Sequence, residues 1–436
     1  MKGRSAYRRL LFVGLGASVV LVGLVVAYAR LSTNQPILLT GLFHGPRYDS
    51  STLLPDTSIV ASVVHSISHR QTRPTTTRGQ TGGSTATTTT GSTSTTTPTQ
   101  TTSASKTVAF GIAAGGGLTD LDQPALNTYF QALKTLGVQW VRWDIDWGVV
   151  QPDDATHYNW AAIDRVAATA KQYGINSLAI LTYTPAWAYP SGCTMSQCLP
   201  ADPSAFATFA GAAAARYKDT IHTWEIWNEP NVAPNANVAV YSTVLRGSYS
   251  AIKAVDPSAM VLSGGLAPAA DGGGNIAPAT FVQALYADQD RAYFDALALH
   301  PYTYPVSVGY QAIWNSWLQM AIIQNSMQAN GDGAKKIWIT EFGSPTNGPG
   351  SLRQQNQLTF VYGSDYLSEQ TQQTLLQDAL AYYIQNSASF GPFFFYSLHD
   401  NGTNTNTPEN FFGLLRYDWS QKPAYQTFQQ TIAQYK

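Results

Sequence analysis

Val138-Gln139-Trp140-Val141-Arg142-Trp143 is a short run of β-branched and aromatic residues, Trp160 to Tyr173 behind it carries a helical pattern, and Ile175-Asn176-Ser177-Leu178-Ala179-Ile180-Leu181 is a second such run. A strand, a helix and a strand in that order form one parallel crossover, because strands that run side by side need a long connection between them. The unit recurs along the chain. Val108 to Ile112 is a strand before a helix near Gln123 to Leu136, and the strand at Ile175 leads through a long loop to a helix over Pro203 to Arg216. Ile221 to Trp227 precedes Val238 to Val255, where Asp256-Pro257 stops the helix. Val261 with its neighbours is a weak fifth strand before Pro278 to Tyr286, and Phe294 to Leu299 precedes a helix within Gln311 to Met327. Ile337 to Thr340 and Phe393 to Ser397 complete the strands, with helices at Leu367 to Asn386 and Ala424 to Tyr435. Eight such units over residues 106–436 predict an α/β fold, a (β/α)8 TIM barrel. A doubly wound open sheet is the alternative; it carries a Gly-rich phosphate turn, and Ala113 to Gly117 is Gly-rich without the G-x-G-x-x-G spacing.

The chain ahead of the barrel reads differently. Leu10 to Ala29 contains no charge, follows Lys2, Arg4, Arg8 and Arg9, and precedes Arg30. A helix of that length spans the ~30 Å hydrocarbon layer, and the leading basic residues place the amino terminus in the cytoplasm. Residues 1–30 are therefore expected to be a cytoplasmic stub and a transmembrane signal anchor, with membrane contact through 10–29 and everything after Arg30 outside. A cleaved signal peptide, ending at the small-x-small pattern Ala27-Tyr28-Ala29, is the competing reading and would make the protein secreted. Residues 31–105 are expected to be an extracytoplasmic linker. From Gln71 to Ser105, 22 of 35 residues are Thr or Ser, too little apolar surface to offset chain entropy, so this part reads as a disordered stalk.

Composition narrows the function. Lys+Arg 25 against Asp+Glu 26 leaves a net charge of -1, so there is no basic excess with which to hold nucleic acid. Charged residues make up 12% of the chain, against a norm of about 25%, so its surface is polar through Thr, Ser, Asn, Gln and Tyr, which suits an exported protein. The two cysteines, Cys193 and Cys198, lie close together in the loop after the third strand and outside the membrane are expected to form a disulfide, two unpaired thiols being the alternative. No His/Asp/Glu set has metal-ligand spacing and no G-x-S-x-G elbow occurs, so neither a metal, nor a cofactor, nor a serine nucleophile is expected.

In a barrel of this kind the chemistry lies at the carboxyl ends of the strands. Those ends carry Arg142-Trp143-Asp144-Ile145-Asp146-Trp147, Thr182 to Trp187, Trp227-Asn228-Glu229-Pro230-Asn231, His300-Pro301-Tyr302, Thr340-Glu341-Phe342-Gly343 and Tyr396-Ser397-Leu398-His399. Carboxylates, amides and aromatics thus crowd one rim. An isolated strand-end Glu is more often a solvated side chain, but Glu229 and Glu341 together match the pair of carboxyl groups that glycoside hydrolysis needs. Arg142 is expected to lower the pKa of a nucleophilic carboxylate, or else to pair with Asp144 or Asp146. Glu225 should turn to the side of Glu229 as a structural ion-pair member, and Trp338, out of phase with Glu341, should face the outer helices. Trp143, Trp147, Trp187 and Trp227 are candidates for stacking on sugar rings, with packing as the alternative for some of them.

Trp224 to Asn231 and Ile337 to Gly343 resemble the two signature segments of clan A glycoside hydrolases, and within that clan the chain is most similar to glycoside hydrolase family 39. The likeness runs from about Phe110 to the carboxyl end and includes Gly137 to Arg142, Thr184-Pro185-Ala186-Trp187-Ala188 and His300-Pro301-Tyr302. It implies Glu229 as general acid/base, Glu341 as nucleophile and Asn228 at the sugar 2-OH, with His300 and Tyr302 bridging nucleophile and sugar. Where such enzymes place a Trp under the sugar, Tyr396 or His399 stands. The expectation is a monomeric, membrane-anchored retaining O-glycosidase acting outside the cytoplasm on a polysaccharide or oligosaccharide. A transglycosylase using the same glutamates and a non-catalytic polysaccharide-binding barrel are the alternatives.

Overall fold

The computed structural model describes residues 108–346 and 367–435. The expected anchor at 10–29 and the Thr/Ser-rich linker lie outside these residues. Among the described residues no helix is long and apolar enough to cross a membrane.

Among the described residues eight parallel strands alternate with eight helices of ten residues or more, and a single helical turn, Trp147–Val150, follows the second strand. The strands are β1 Phe110–Gly115, β2 Trp140–Asp146, β3 Asn176–Thr182, β4 Thr223–Ile226, β5 Met260–Leu262, β6 Leu297–Leu299, β7 Ile337–Ile339 and β8 Phe390–Tyr396. The helices are α1 Gln123–Leu136, α2 Ala161–Tyr173, α3 Pro203–Tyr217, α4 Val238–Val255, α5 Pro278–Ala287, α6 Ser316–Ala329, α7 Glu369–Gln385 and α8 Pro423–Tyr435. The sheet runs in the order β5-β4-β3-β2-β1-β8-β7-β6. Its two ends meet through the parallel bridges Leu262 to Ala296 and Leu266 to Leu299, so the sheet curls into a barrel. The open-sheet alternative is thereby set aside.

Helix starts follow the local chemistry. Asp122, Asp202, Asn237, Asn315 and Ser368 each accept a backbone N–H of the helix they precede, satisfying donors that the first turn leaves free. Between strands and helices runs a continuous apolar layer that includes Trp143, Trp147, Phe206, Phe209, Trp224 and Trp227, all buried.

Inside the barrel a second, smaller cluster fills the amino-terminal end with Trp338, Phe394, Leu178, Leu262, Ala296 and Ala298. Trp338 stacks on Phe394 at 6.3 Å and meets the edge of Trp140 at 5.4 Å. Gly391 makes room for it, since a Cβ there would lie 2.3 Å from the indole. This corrects the expected outward direction of Trp338. β7 ends at Ile339, so the alternation used to compare Trp338 with Glu341 does not continue to residue 341; Thr340 and Glu341 both turn inward. The aromatic plug leaves the carboxyl-terminal half of the interior for polar side chains.

Candidate active site

Above the plug, Arg142 of β2 is fully buried and reaches across the barrel. Its Nε donates to Glu225 Oε2 at 2.7 Å and its Nη2 to Glu225 Oε1 at 3.0 Å, a forked pair with β4. The same guanidinium donates to Glu341 Oε1 at 2.5 Å and to Asn228 Oδ1 at 2.9 Å. Glu225 also accepts Gly265 N at 3.0 Å. Of the two expectations for Arg142, the pair with Glu341 is the one formed, and Glu225 is the structural ion-pair member anticipated.

Glu229 has the strand parity of Glu225, but the chain does not stay extended between them. Trp224 and Ile226 face outward, Glu225 inward, and the chain then breaks rhythm at Trp227 and Glu229, which adopt φ of 73° and 49°. The left-handed region is costly for non-glycine residues, and clusters of such residues accompany functional sites. Here it turns Glu229 back into the barrel, buried at 6% exposure. His300 Nδ1 lies 3.2 Å from Glu229 Oε1 and 3.8 Å from Glu341 Oε2. Tyr302 donates its hydroxyl to Glu341 Oε2 at 2.7 Å. Gly265 is needed beside His300, because a Cβ there would fall 2.1 Å from Nε2.

The electrostatics separate the two carboxyl groups. Burial, reinforced by the charge of Glu341, pushes Glu229 up to about 8, with Arg142 opposing. Burial also raises Glu341, to about 7, but Arg142 and the Tyr302 hydroxyl hold it back. Glu341, with the guanidinium and the phenol on its oxygens, is thus the easier of the two to ionise. Burial and the Arg142 charge drive His300 well below its ordinary value, keeping the imidazole neutral. Burial and Glu341 keep the Tyr302 phenol protonated.

Glu229, Glu341, Asn228, Arg142, His300 and Tyr302 are therefore brought together. Tyr396 is buried at the end of β8, packed on Phe412 at 5.2 Å. Trp187 stands on the rim, 36% exposed, edge-on to Trp147 at 5.2 Å, with its indole N–H on Gln151 O at 2.8 Å. The disulfide Cys193–Cys198 is formed in the same loop. Trp143 is a correction: it is fully buried on the helix-facing side of β2, its Nε1 on Ser177 Oγ at 3.1 Å, because it alternates with the inward Arg142. Trp147 and Trp227 likewise pack under α3, against Phe209 at 5.7 Å and Phe206 at 5.4 Å. Sequence reasoning singled out neither Thr340, with Oγ1 3.5 Å from Glu225 Oε1, nor Asp144, which it weighed only as a partner for Arg142. The two-residue spacing from Arg142 was the signal that Asp144 also points inward. On the same rim, a cavity of about 390 Å³ opens between the β1 and β8 loops, lined among others by Gly117, Tyr129, Ser397, His399 and Trp419. There His399 stacks on Trp419 at 4.3 Å.

A family model for cellulase, glycosyl hydrolase family 5, matches residues 95–377, more than half of the chain. The chain belongs to this family of clan A glycoside hydrolases. The expected clan therefore stands, as does the likeness to family 39 in the fold. A family 39 glycoside hydrolase from the gut symbiont Bacteroides cellulosilyticus aligns with TM-score 0.58 and 22% identity over 74% of this chain and 63% of its own. The family 39 enzyme from Xanthomonas axonopodis pv. citri gives TM-score 0.57 and 18% identity, over 76% of this chain and 67% of that one. An exo-β-1,4-mannosidase from an Opitutaceae bacterium gives TM-score 0.52 and 15% identity, over 75% and 59%. The chain thus spans less than two thirds of the first of these enzymes. No curated protein sequence matches it.

Proposed function

We propose that this glycoside hydrolase cleaves an O-glycosidic bond with retention, Glu341 attacking the anomeric carbon and Glu229 serving as acid and then base. The observation that carries this reading is the shared imidazole. His300 Nδ1 lies 3.2 Å from an oxygen of Glu229 and 3.8 Å from one of Glu341, so those two oxygens are no more than about 7 Å apart. Retaining enzymes hold their carboxyl groups about 5 to 5.5 Å apart and inverting enzymes about 6.5 to 9.5 Å, so this ceiling leaves out most of the inverting range.

The roles follow from the surroundings. Glu341, held by Arg142 and Tyr302, supplies the ionised carboxylate that forms the glycosyl-enzyme bond while the glycosidic C–O bond breaks. Among the described residues no Lys or Arg pairs with the Glu229 carboxyl group, which holds its proton near neutrality and delivers it to the departing oxygen. In the second step Glu229, now ionised, takes a proton from water as that water displaces Glu341. Neutral His300 orients Glu229, and Asn228, fixed by Arg142, presents its amide N–H groups toward the 2-hydroxyl.

The substrate is a polysaccharide or oligosaccharide outside the cytoplasm, a reading supported by the apolar run at 10–29 and the Thr/Ser-rich residues 71–105 ahead of the barrel. Trp187 on the rim suits the CH face of a sugar ring beyond the cleavage point. The test is reducing-end release from a panel of envelope and matrix polysaccharides by the wild type and by Glu341→Gln. Release by the wild type that falls by several powers of ten in the variant supports the proposal. Binding without release by either protein refutes it in favour of a carbohydrate-binding barrel.

A further inference from the structure

Asp144 lies two residues beyond Arg142 on β2, on the same inward face and about 7 Å nearer the mouth of the barrel. It is 2% exposed, and among the described residues neither carboxyl oxygen has a hydrogen-bond partner. Buried polar groups are paired almost without exception, so one left open at a barrel mouth calls for an explanation. Arg142 makes no hydrogen bond to Asp144, four of its five N–H donors going to Glu225, Glu341 and Asn228. This guanidinium is shared by Glu225 and Glu341, and among the described residues Asp144 keeps its capacity as an acceptor.

Like Glu341, the group is closed to water, and a glycine turn covers it on one side. Gly116, in the turn after β1, faces Oδ2: a Cβ built there would stand 3.5 Å away. The next residue, Gly117, has nothing within 4 Å of its own Cβ position and borders the cavity between the β1 and β8 loops. Asp144 also sits close enough to Glu341 and Tyr396 for its charge to disfavour ionisation of both. Asp144 and Tyr396 therefore flank the same glycine turn, Gly116 facing the carboxyl group and a Cβ at Gly115 standing 3.9 Å from the Tyr396 ring, beside the Glu341 that Arg142 holds.

We propose that Asp144 is a specificity-determining residue of this site, accepting hydrogen bonds from two neighbouring sugar hydroxyl groups on the side of the ring away from the 2-hydroxyl. This deepens the glycosidase reading and rests on it. The two oxygens of one carboxyl group match two adjacent hydroxyls, and Asn228 already faces the 2-position. The acceptor selects glycosyl units with these hydroxyls free and rejects units in which one is missing, methylated or acylated. Sites built to bond a substrate hydroxyl discriminate strongly against its absence, because the site's polar group is then left unpaired. Such a group lowers the stability of the empty protein, since it is buried without a partner.

Turnover of 4-nitrophenyl glycosides of gluco, manno, galacto and xylo configuration, each beside its 3-deoxy and 4-deoxy analogue, tests this in the wild type and Asp144→Asn. The wild type should favour the parent over an analogue lacking a contacted hydroxyl by about 10- to 100-fold in kcat/KM. Asp144→Asn should lose about that factor on the parent, retain its rate on the analogue within about threefold, and melt at an equal or higher temperature than the wild type. A variant that loses activity equally on parent and analogue while melting lower would show a structural residue and overturn the proposal. So would full retention of parent activity. A wild type inactive on every aryl glycoside and every polysaccharide would instead refute the glycosidase reading, and the role of Asp144 with it.

Discussion

Tyr302→Phe removes one hydrogen bond and little else, because the ring keeps its place against Tyr304 and Phe412 at 6.1 and 6.2 Å. The lost contact is the 2.7 Å bond from the phenol to Glu341 Oε2. A hydrogen bond to a charged group contributes about 1.5 to 3 kcal/mol, and one pKa unit corresponds to about 1.4 kcal/mol. The bond stabilises the ionised carboxylate, so its removal raises the pKa of Glu341 by about 1 to 2 units above its present value near 7. The acid limb of the kcat/KM profile reports ionisation of the nucleophile in the free enzyme, so it moves toward higher pH. Below pH 6 the rate falls by about 10- to 100-fold. Glu229 sits near 8, so a Glu341 raised to or past that value leaves few molecules with the nucleophile ionised and the acid protonated together, and the peak of the bell drops. The assay is initial-rate reducing-end release from pH 4 to 10 under conditions where the substrate stays below KM. An acid limb that is unmoved, or that moves toward lower pH, would refute the reasoning that Tyr302 tunes Glu341.

Two further perturbations test the supports of the site. Gly265→Ala puts a Cβ 2.1 Å from His300 Nε2, so the imidazole must leave Glu229; kcat/KM should fall about 100-fold or more, with unfolding by heat shifted by a few degrees, and an unchanged rate would contradict the role of His300. Arg142→Met leaves Glu225 and Glu341 without their shared cation, and denaturant titration should show a loss of about 3 to 5 kcal/mol, whereas a loss under about 1 kcal/mol would mean the ion pairs carry little.

Strand and helix positions were legible because each βα unit advertises itself by a β-branched run and a capped helix. Val238–Val255 begins behind Asn237 and stops before Pro257, and Gln123–Leu136 begins behind Asp122 and closes at Gly137 in the left-handed region. Site residues were legible wherever they follow directly from a strand end, as with Arg142, His300 and Glu341. What escaped is the direction of side chains once regular alternation ends. Trp227 shares the parity of Glu225 yet packs under α3 because Trp227 and Glu229 leave the extended region, and Trp338 proves interior because β7 stops before Glu341. Trp143 was misjudged for a different reason: its chemistry suits a sugar plate, but parity with Arg142 sends it under the helices. Asp144 shows the complementary case, where parity alone was enough to place a carboxylate inside the barrel.

The division of labour between the two glutamates is the central claim, and azide addresses it most directly. In Glu229→Ala the small anion enters the space of the missing acid/base and attacks the glycosyl-enzyme formed on Glu341 from an activated aryl glycoside. Proton NMR of the product should show restored turnover and a glycosyl azide of the same anomeric configuration as the substrate. A glycosyl azide of inverted configuration would mean that Glu229 is the nucleophile, and the absence of any azide product would mean that the residue does not act as acid/base.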